Sequence, residues 1–122
     1  LLGLRMTTRR QERVNSLILR ELSELIQRRV QDPRVRGVHI VNVDISPDFH
    51  LARVLYSFLN EKGEIKQEDV QNGLDSAKAF LRRELKKTVE LRVVPELAFF
   101  YDPSIQQGDR LLELLRNIKP SD

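Results

Sequence analysis

The sequence predicts one small α+β domain, a three-stranded sheet with helices on one face, ordered helix, strand, strand, helix, helix, strand, helix. Three observations carry this reading. Apolar residues recur at helical spacing near the start, alternate after Gly37, and return to helical spacing after Gly63. The turn residues Ser46-Pro47-Asp48 join two strand-like runs by a connection short enough to make them an antiparallel hairpin. A length of 122 residues, 40% hydrophobic and 32% charged, suits one core and not two.

Residues 1–7 are read as a flexible extension, with Leu1–Arg5 lying before the only methionine, Met6. The domain proper is expected over 8–103 and a C-terminal helix and tail over 104–122. From about Thr8 to Gln31, Val14, Leu17, Ile18, Leu22 and Leu25 form one apolar stripe at i, i+3, i+4 spacing. Thr8 is the expected N-cap, and Asp32-Pro33 ends the helix because a residue before proline avoids helical backbone angles. Val41, Val43 and Ile45 alternate with Asn42 and Asp44 as a half-buried strand; Leu51–Leu59, rich in β-branched and aromatic residues, is the second.

A helix is expected from about Lys66, with Val70, Leu74, Ala77, Phe80, Leu81 and Leu85 on its apolar side. Its middle, Ser76-Ala77-Lys78-Ala79, is small and polar, which permits a bend or a break into two helices there. Leu91–Val94 reads as extended, Pro95 blocks ladder donation at its own position, and Leu97–Tyr101 reads as a strand. Ser104 with Gln107 fits a capping box for the last helix, whose apolar face is Leu111, Leu112, Leu114, Leu115 and Ile118.

The net charge of +3 conceals four blocks. Residues 1–36 hold nine Arg against four acids, and residues 78–92 hold six basic side chains against two acids. The segments between and after them, 37–77 and 93–122, are net acidic. Such asymmetry is expected when one face meets a polyanion. Arginine's planar fork of donors tilts the first block toward phosphate.

Motifs for catalysis are thin. With no cysteine, disulfides, zinc knuckles and thiol chemistry are excluded, and His39 and His50 lack further ligands for a metal. No serine lies in a Gly-x-Ser-x-Gly setting, and the five glycines are scattered singly, without a phosphate loop. Asp44 and Asp48 read as turn-flanking residues. No catalytic residue, metal or cofactor is therefore expected. Apolar runs are too short to cross a bilayer and no signal segment opens the chain, so a cytoplasmic setting is expected.

The order α-β-β-α-α-β is that of a type II KH domain, a module that clamps single-stranded nucleic acid with a Gly-x-x-Gly loop between its central helices. That loop should fall around residues 76–80, where Ser76-Ala77-Lys78-Ala79-Phe80 stands without glycine. Lys78, Arg82, Arg83, Lys86 and Lys87 crowd the same neighbourhood.

At this point the residues carry a family resemblance. Arg9-Arg10-Gln11-Glu12-Arg13-Val14, Gln31-Asp32-Pro33-Arg34-Val35, Val41–Ser46 with Asp48, Ala52-Arg53-Val54 and Ala79–Leu85 follow in order. The most specific stretch is Leu91–Asp102, followed by Ser104 and Gly108-Asp109-Arg110. Together, over Thr8 to Ile118, they resemble ribosome-binding factor A, a bacterial small-subunit assembly family. The resemblance implies a KH-like fold in which an interhelical kink at Ala77 or Ala79 replaces the glycine clamp. It implies a non-enzymatic, monomeric protein that binds the free or immature 30S ribosomal subunit and its 16S rRNA. Such proteins assist late maturation and processing of the rRNA 5′ region, matter most in the cold, and are functionally linked to small-subunit assembly GTPases.

The expected RNA-binding residues are Arg9, Arg13 and Arg20 on the first helix, Arg34 and Arg36 after it, and Lys78, Arg82, Arg83, Lys86 and Lys87 around the kink. Most aromatics fall at core-facing positions, so base stacking is the minority role; Phe49, in the hairpin turn, is the best candidate for exposure. A general KH-type RNA-binding module and a DNA-binding regulator are the alternatives. The second is disfavoured because a hairpin separates the first two helices, where a helix-turn-helix needs them adjacent.

Overall fold

A computed structural model describes residues 7–103. The expected C-terminal helix over 104–122, and most of the N-terminal extension, lie outside the described residues. Helix α1 (Arg9–Arg28) starts at the expected cap: the Gln11 amide donates to Thr8 Oγ1 at 3.1 Å, and the Thr8 amide donates to Gln11 Oε1 at 2.9 Å. This reciprocal capping box satisfies two donors that the first turn would otherwise leave unpaired. Gln11 Nε2 also reaches the Ile45 carbonyl, and the Ile45 amide donates to Asn15 Oδ1 at 2.7 Å. The polar side chains of α1's first two turns thus tie the helix to the end of the first strand.

The helix stops earlier than its apolar period suggests. Both the Arg29 and Val30 amides fold back on the Leu25 carbonyl, and Asp32 then caps a short 3-10 turn at Pro33–Val35. Strand β1 (Val38–Ile45) pairs antiparallel with β2 (Leu51–Phe58), with a bulge between Ile40 and Asn42 that sets Val41 outside the register. Strand β3 (Glu96–Tyr101) pairs parallel with β2, giving the order β1-β2-β3. A parallel neighbour needs a crossover, and helix α2 (Gln67–Thr88) supplies it.

Of the bend or break permitted at Ser76–Ala79, the break into two helices does not occur: α2 is one helix of 22 residues. Small residues permit a break without demanding one. Here the Ser76 hydroxyl donates back to the Asn72 carbonyl at 2.8 Å, so the polar side chain is satisfied inside the helix. Ala77 packs against the core, while Ala79 points to solvent. The observed order is helix, strand, strand, helix, strand.

Alternate residues of each strand form the core. Val43 and Ile45, then Ala52, Val54, Tyr56 and Phe58, then Leu97 and Phe99 are buried against Ile18, Leu22, Leu74, Leu81 and Leu85. α1 lies against β1, α2 lies against β3, and the two helices touch. Intervening strand positions such as Arg53, Glu96 and Phe100 are exposed, so the helices cover one face of the sheet. Tyr56 is wholly buried but keeps its hydroxyl paired, donating to Gln71 Oε1 at 2.6 Å and accepting from Gln67 Nε2 at 3.1 Å. α2 meets the Pro33–Val35 turn at Gly73, where no side chain stands between them.

Candidate nucleic-acid interface

The basic residues singled out above fall into groups that the fold treats differently. Arg9, Arg13 and Arg20 share one stripe of α1, opposite the buried Gln11, Val14, Ile18, Leu22 and Leu25. Arg9 and Arg13 have no hydrogen-bond or ion-pair partner among the described residues. Arg20 sits 3.8 Å from Glu21 with its side chain largely in solvent, a contact worth little. Arg36, just past the 3-10 turn, is exposed.

Arg34 is otherwise engaged. Its Nε donates to Asp32 Oδ1 at 3.1 Å and its Nη2 to Oδ2 at 2.7 Å, a bidentate pair that fastens the turn. The same pairing holds the Asp32 carboxyl below its usual value and raises the Arg34 guanidinium. On α2, Lys78 pairs with Asp75 at 3.1 Å. Arg82 is a structural tether: Nε donates to the Pro95 carbonyl at 3.1 Å, Nη2 to Val94 at 3.0 Å, and Nη1 lies 3.5 Å from Glu96.

Lys87 belongs to a seam between the helices. Glu84 is buried there, accepting from Lys87 Nζ at 2.9 Å and from Arg29 Nη1 at 3.1 Å. The Arg29 guanidinium also sits 5.6 Å over the Phe80 ring. The Lys87 hydrogen bond, with both cationic charges, holds the Glu84 carboxyl below its ordinary value of 4.5, against the opposing effect of desolvation. A carboxyl held low in the folded state stabilises it above the unfolded value, and that stabilisation is lost as pH falls through the folded one. Glu84→Gln is therefore expected to be less stable than the parent at neutral pH. The gap should narrow as the pH falls below 4.5, which chemical denaturation at a series of pH values would read.

What remains unpaired on α2 is Arg83 and Lys86, both exposed on the helix side facing away from the core. They border a groove of about 490 Å³ between α2 and the segment 91–94, lined by Ala79, Arg82, Arg83, Lys86, Leu91, Arg92, Val93 and Val94. Among the described residues, no carboxylate lines it. Arg92 was not singled out by periodicity, because it lies in an irregular segment with no face to read. Its signal was the basic excess of residues 78–92.

Phe49 is corrected from the sequence reading: its ring is half-buried against the core rather than offered to solvent, and the Arg10 guanidinium lies 5.1 Å from its centroid. Its backbone takes φ 64°, a left-handed conformation costly for a bulky side chain, at the tight corner of the hairpin. The hairpin is pinned there by Asp48, which accepts from the Ser46 hydroxyl and the His50 amide. Among the described residues, no helix is long and apolar enough to cross a membrane.

The two free cationic sets thus lie on the helical side of the sheet, on outer faces of neighbouring helices. Such an array offers N–H donors to phosphate oxygens. The chain matches the family model described as ribosome-binding factor A over residues 10–115. It is 40% identical over 114 residues to "Ribosome-binding factor A" of Streptococcus mutans, covering 93% of this chain and 97% of that one. The crystal structure of ribosome-binding factor A from Thermus thermophilus superposes with a TM-score of 0.66 at 24% identity, covering 75% of this chain and 94% of that one. A homology model of the Thermus thermophilus protein, fitted into a cryo-electron microscopy map of its complex with the 30S subunit, gives a TM-score of 0.60 at 25% identity, covering 73% of this chain and 91% of that one.

Proposed function

Because the chain belongs to the ribosome-binding factor A family, we propose that it binds the 30S ribosomal subunit through 16S rRNA and acts by binding alone, without catalysis. The observation that supports this most directly is the pair Arg83 and Lys86, exposed and without partners among the described residues on α2, on the same helical side of the sheet as the α1 stripe of Arg9, Arg13 and Arg20. Both sets can meet phosphates from one side of the domain, while the sheet's other face stays out of the contact. Phosphate contacts fix position and supply affinity, and each releases counterions.

In this reading the protein holds one rRNA conformation, shifting a folding population by differential affinity. It works as a cytoplasmic monomer on free or immature subunits, during late maturation and processing of the rRNA 5′ region, alongside assembly GTPases, and matters most in the cold. The element order and the parallel β2–β3 pair support a KH-like arrangement of type II order, with α2 passing unbroken through the place of the glycine clamp. A DNA-binding regulator is a weaker reading, since β1 and β2 separate the two helices.

Co-sedimentation tests it. The protein is expected to pellet with free small subunits and not with assembled ribosomes. With about five phosphate contacts, raising salt from ~50 to ~200 mM should weaken binding on the order of 10²-fold. Salt-insensitive pelleting, or equal pelleting with assembled ribosomes, would overturn it.

A further inference from the structure

The face of the sheet turned away from the helices carries an apolar patch that the proposed rRNA contact does not use. Leu55 stands at its centre, half-buried, paired with Phe100 on β3 and with Asn42 on β1. Phe100 is 48% exposed, and Val41, set out by the bulge beside Asn42, is 37% exposed. An exposed apolar surface of this kind within a polar surround marks a contact surface. At one end of the patch lies Ser57. It is wholly buried, although no helix among the described residues packs on its side of the sheet, and its Oγ has no hydrogen-bond partner there. A buried hydroxyl left unpaired is costly, so this one calls for a partner.

The chain itself leaves the sheet at that end. Tyr101 is the register partner of Tyr56, and the Asp102 amide donates to the Tyr56 carbonyl at 2.8 Å, so β3 runs out alongside Ser57. Residues 104–122 follow. In them Leu111, Leu114, Leu115 and Ile118 fall on one stripe at helical spacing, and Asp109, Glu113 and Arg116 fall opposite. A helix over 104–118 would be about 22 Å long, against about 20 Å for the six residues of β3. Such a helix is marginal alone in water and holds where its apolar stripe is buried.

We propose that residues 104–122 fold back as a helix across the open face of their own sheet. The Leu111–Ile118 stripe lies on Leu55, Phe100 and Val41, and the polar start of the segment, Ser104 to Gln107, meets Ser57 Oγ. Attachment at the rim of the patch gives this segment an effective concentration on the order of mM, which a second copy in solution does not match. The sheet is then covered on both faces, and the basic helical side is the one left for a polyanion.

The test uses the full chain, which has no cysteine, so that Arg116→Cys carries a single nitroxide label on the polar side of the segment. In an isotope-labelled sample, the amide signals of Arg53, Leu55 and Phe100 should lose most of their intensity to the spin label. Those of Arg13 and Lys86, on the helical side, should keep theirs. Adding Leu111→Asp and Leu115→Asp to the same chain should restore the sheet signals and lower the Tm by several degrees, with circular dichroism checking that the domain still folds. Loss of intensity at Arg83 and Lys86 in place of the sheet, or no loss anywhere in residues 7–100, overturns the proposal. A mixture of spin-labelled chain with separate isotope-labelled chain tests the other occupant. Loss at Leu55 and Phe100 in that mixture would assign the face to a second copy and overturn the proposal too, whereas unchanged signals there support docking within one chain.

Discussion

Reversing Arg83 and Lys86 together to Glu is expected to weaken small-subunit binding by about 10²-fold at low salt, with no loss of fold. Both side chains are exposed and without partners among the described residues, so no internal contact is broken. Glu is a good helix former at interior helical positions. Neutralising the same pair to Ala should do less, and should flatten the dependence of log affinity on log salt by about two contacts' worth.

Arg82 makes the instructive contrast. Reversal there would remove three donor contacts to residues 94–96 and place a carboxylate beside Glu96, so any loss of binding would follow from loss of the groove wall. Lys87→Glu would likewise put a like charge against buried Glu84. Binding titrations at several salt concentrations, with circular dichroism on each variant, separate these cases. Unchanged affinity in a folded Arg83, Lys86 double reversal would remove α2 from the interface.

Much of the fold was legible because it is locally encoded. Thr8 announces the first helix as its N-cap, and Ser46-Pro47-Asp48 announces the hairpin. The small residues at Ser76–Ala79 do not divide the helix in two, because local composition says only what the backbone could tolerate. Leu74, Ala77, Leu81 and Leu85, all packed against the core, lie on one continuous helix through that stretch. The parallel pairing of β3 depends on which edge α2 delivers it to, and no local pattern carries that.

The site divides in the same way. Sequence counts charges but does not show where each one is spent. Arg34 and Lys87 meet acids two and three residues away, signals that could have been read locally. Arg82 spends its donors on carbonyls twelve and thirteen residues on, and Arg29 on a carboxylate 55 residues on, which only the fold reveals. The basic excess therefore counts cations without showing which of them the fold leaves unpaired among the described residues.

Replacing Gly73 with Ala sets two effects of opposite sign against each other. Helix propensity alone favours the substitution by about 1 kcal/mol in a helix interior. The added methyl, however, would stand 2.8 Å from Val35 Cγ1 and 3.1 Å from Arg34 Cβ. Neither neighbour yields easily. Val35 is 1% exposed and β-branched, and the Pro33–Val35 turn is held by its Asp32 cap and the Asp32–Arg34 pair. Overfilling a tight contact costs about 1–3 kcal/mol, so the clash should win, with a net loss of up to about 2 kcal/mol and a Tm lower by up to roughly 10 °C. Gly37→Ala is the control, because its new methyl meets only the Leu59 carbonyl at 4.0 Å. Combining Gly73→Ala with Val35→Ala should cost less than the two changes summed, since the shortened side chain clears the contact that the methyl needs. A Gly73→Ala variant that melts higher than the parent would show that the turn gives way at little cost. Helix propensity would then be the deciding term where α2 meets the turn that leads to Arg36.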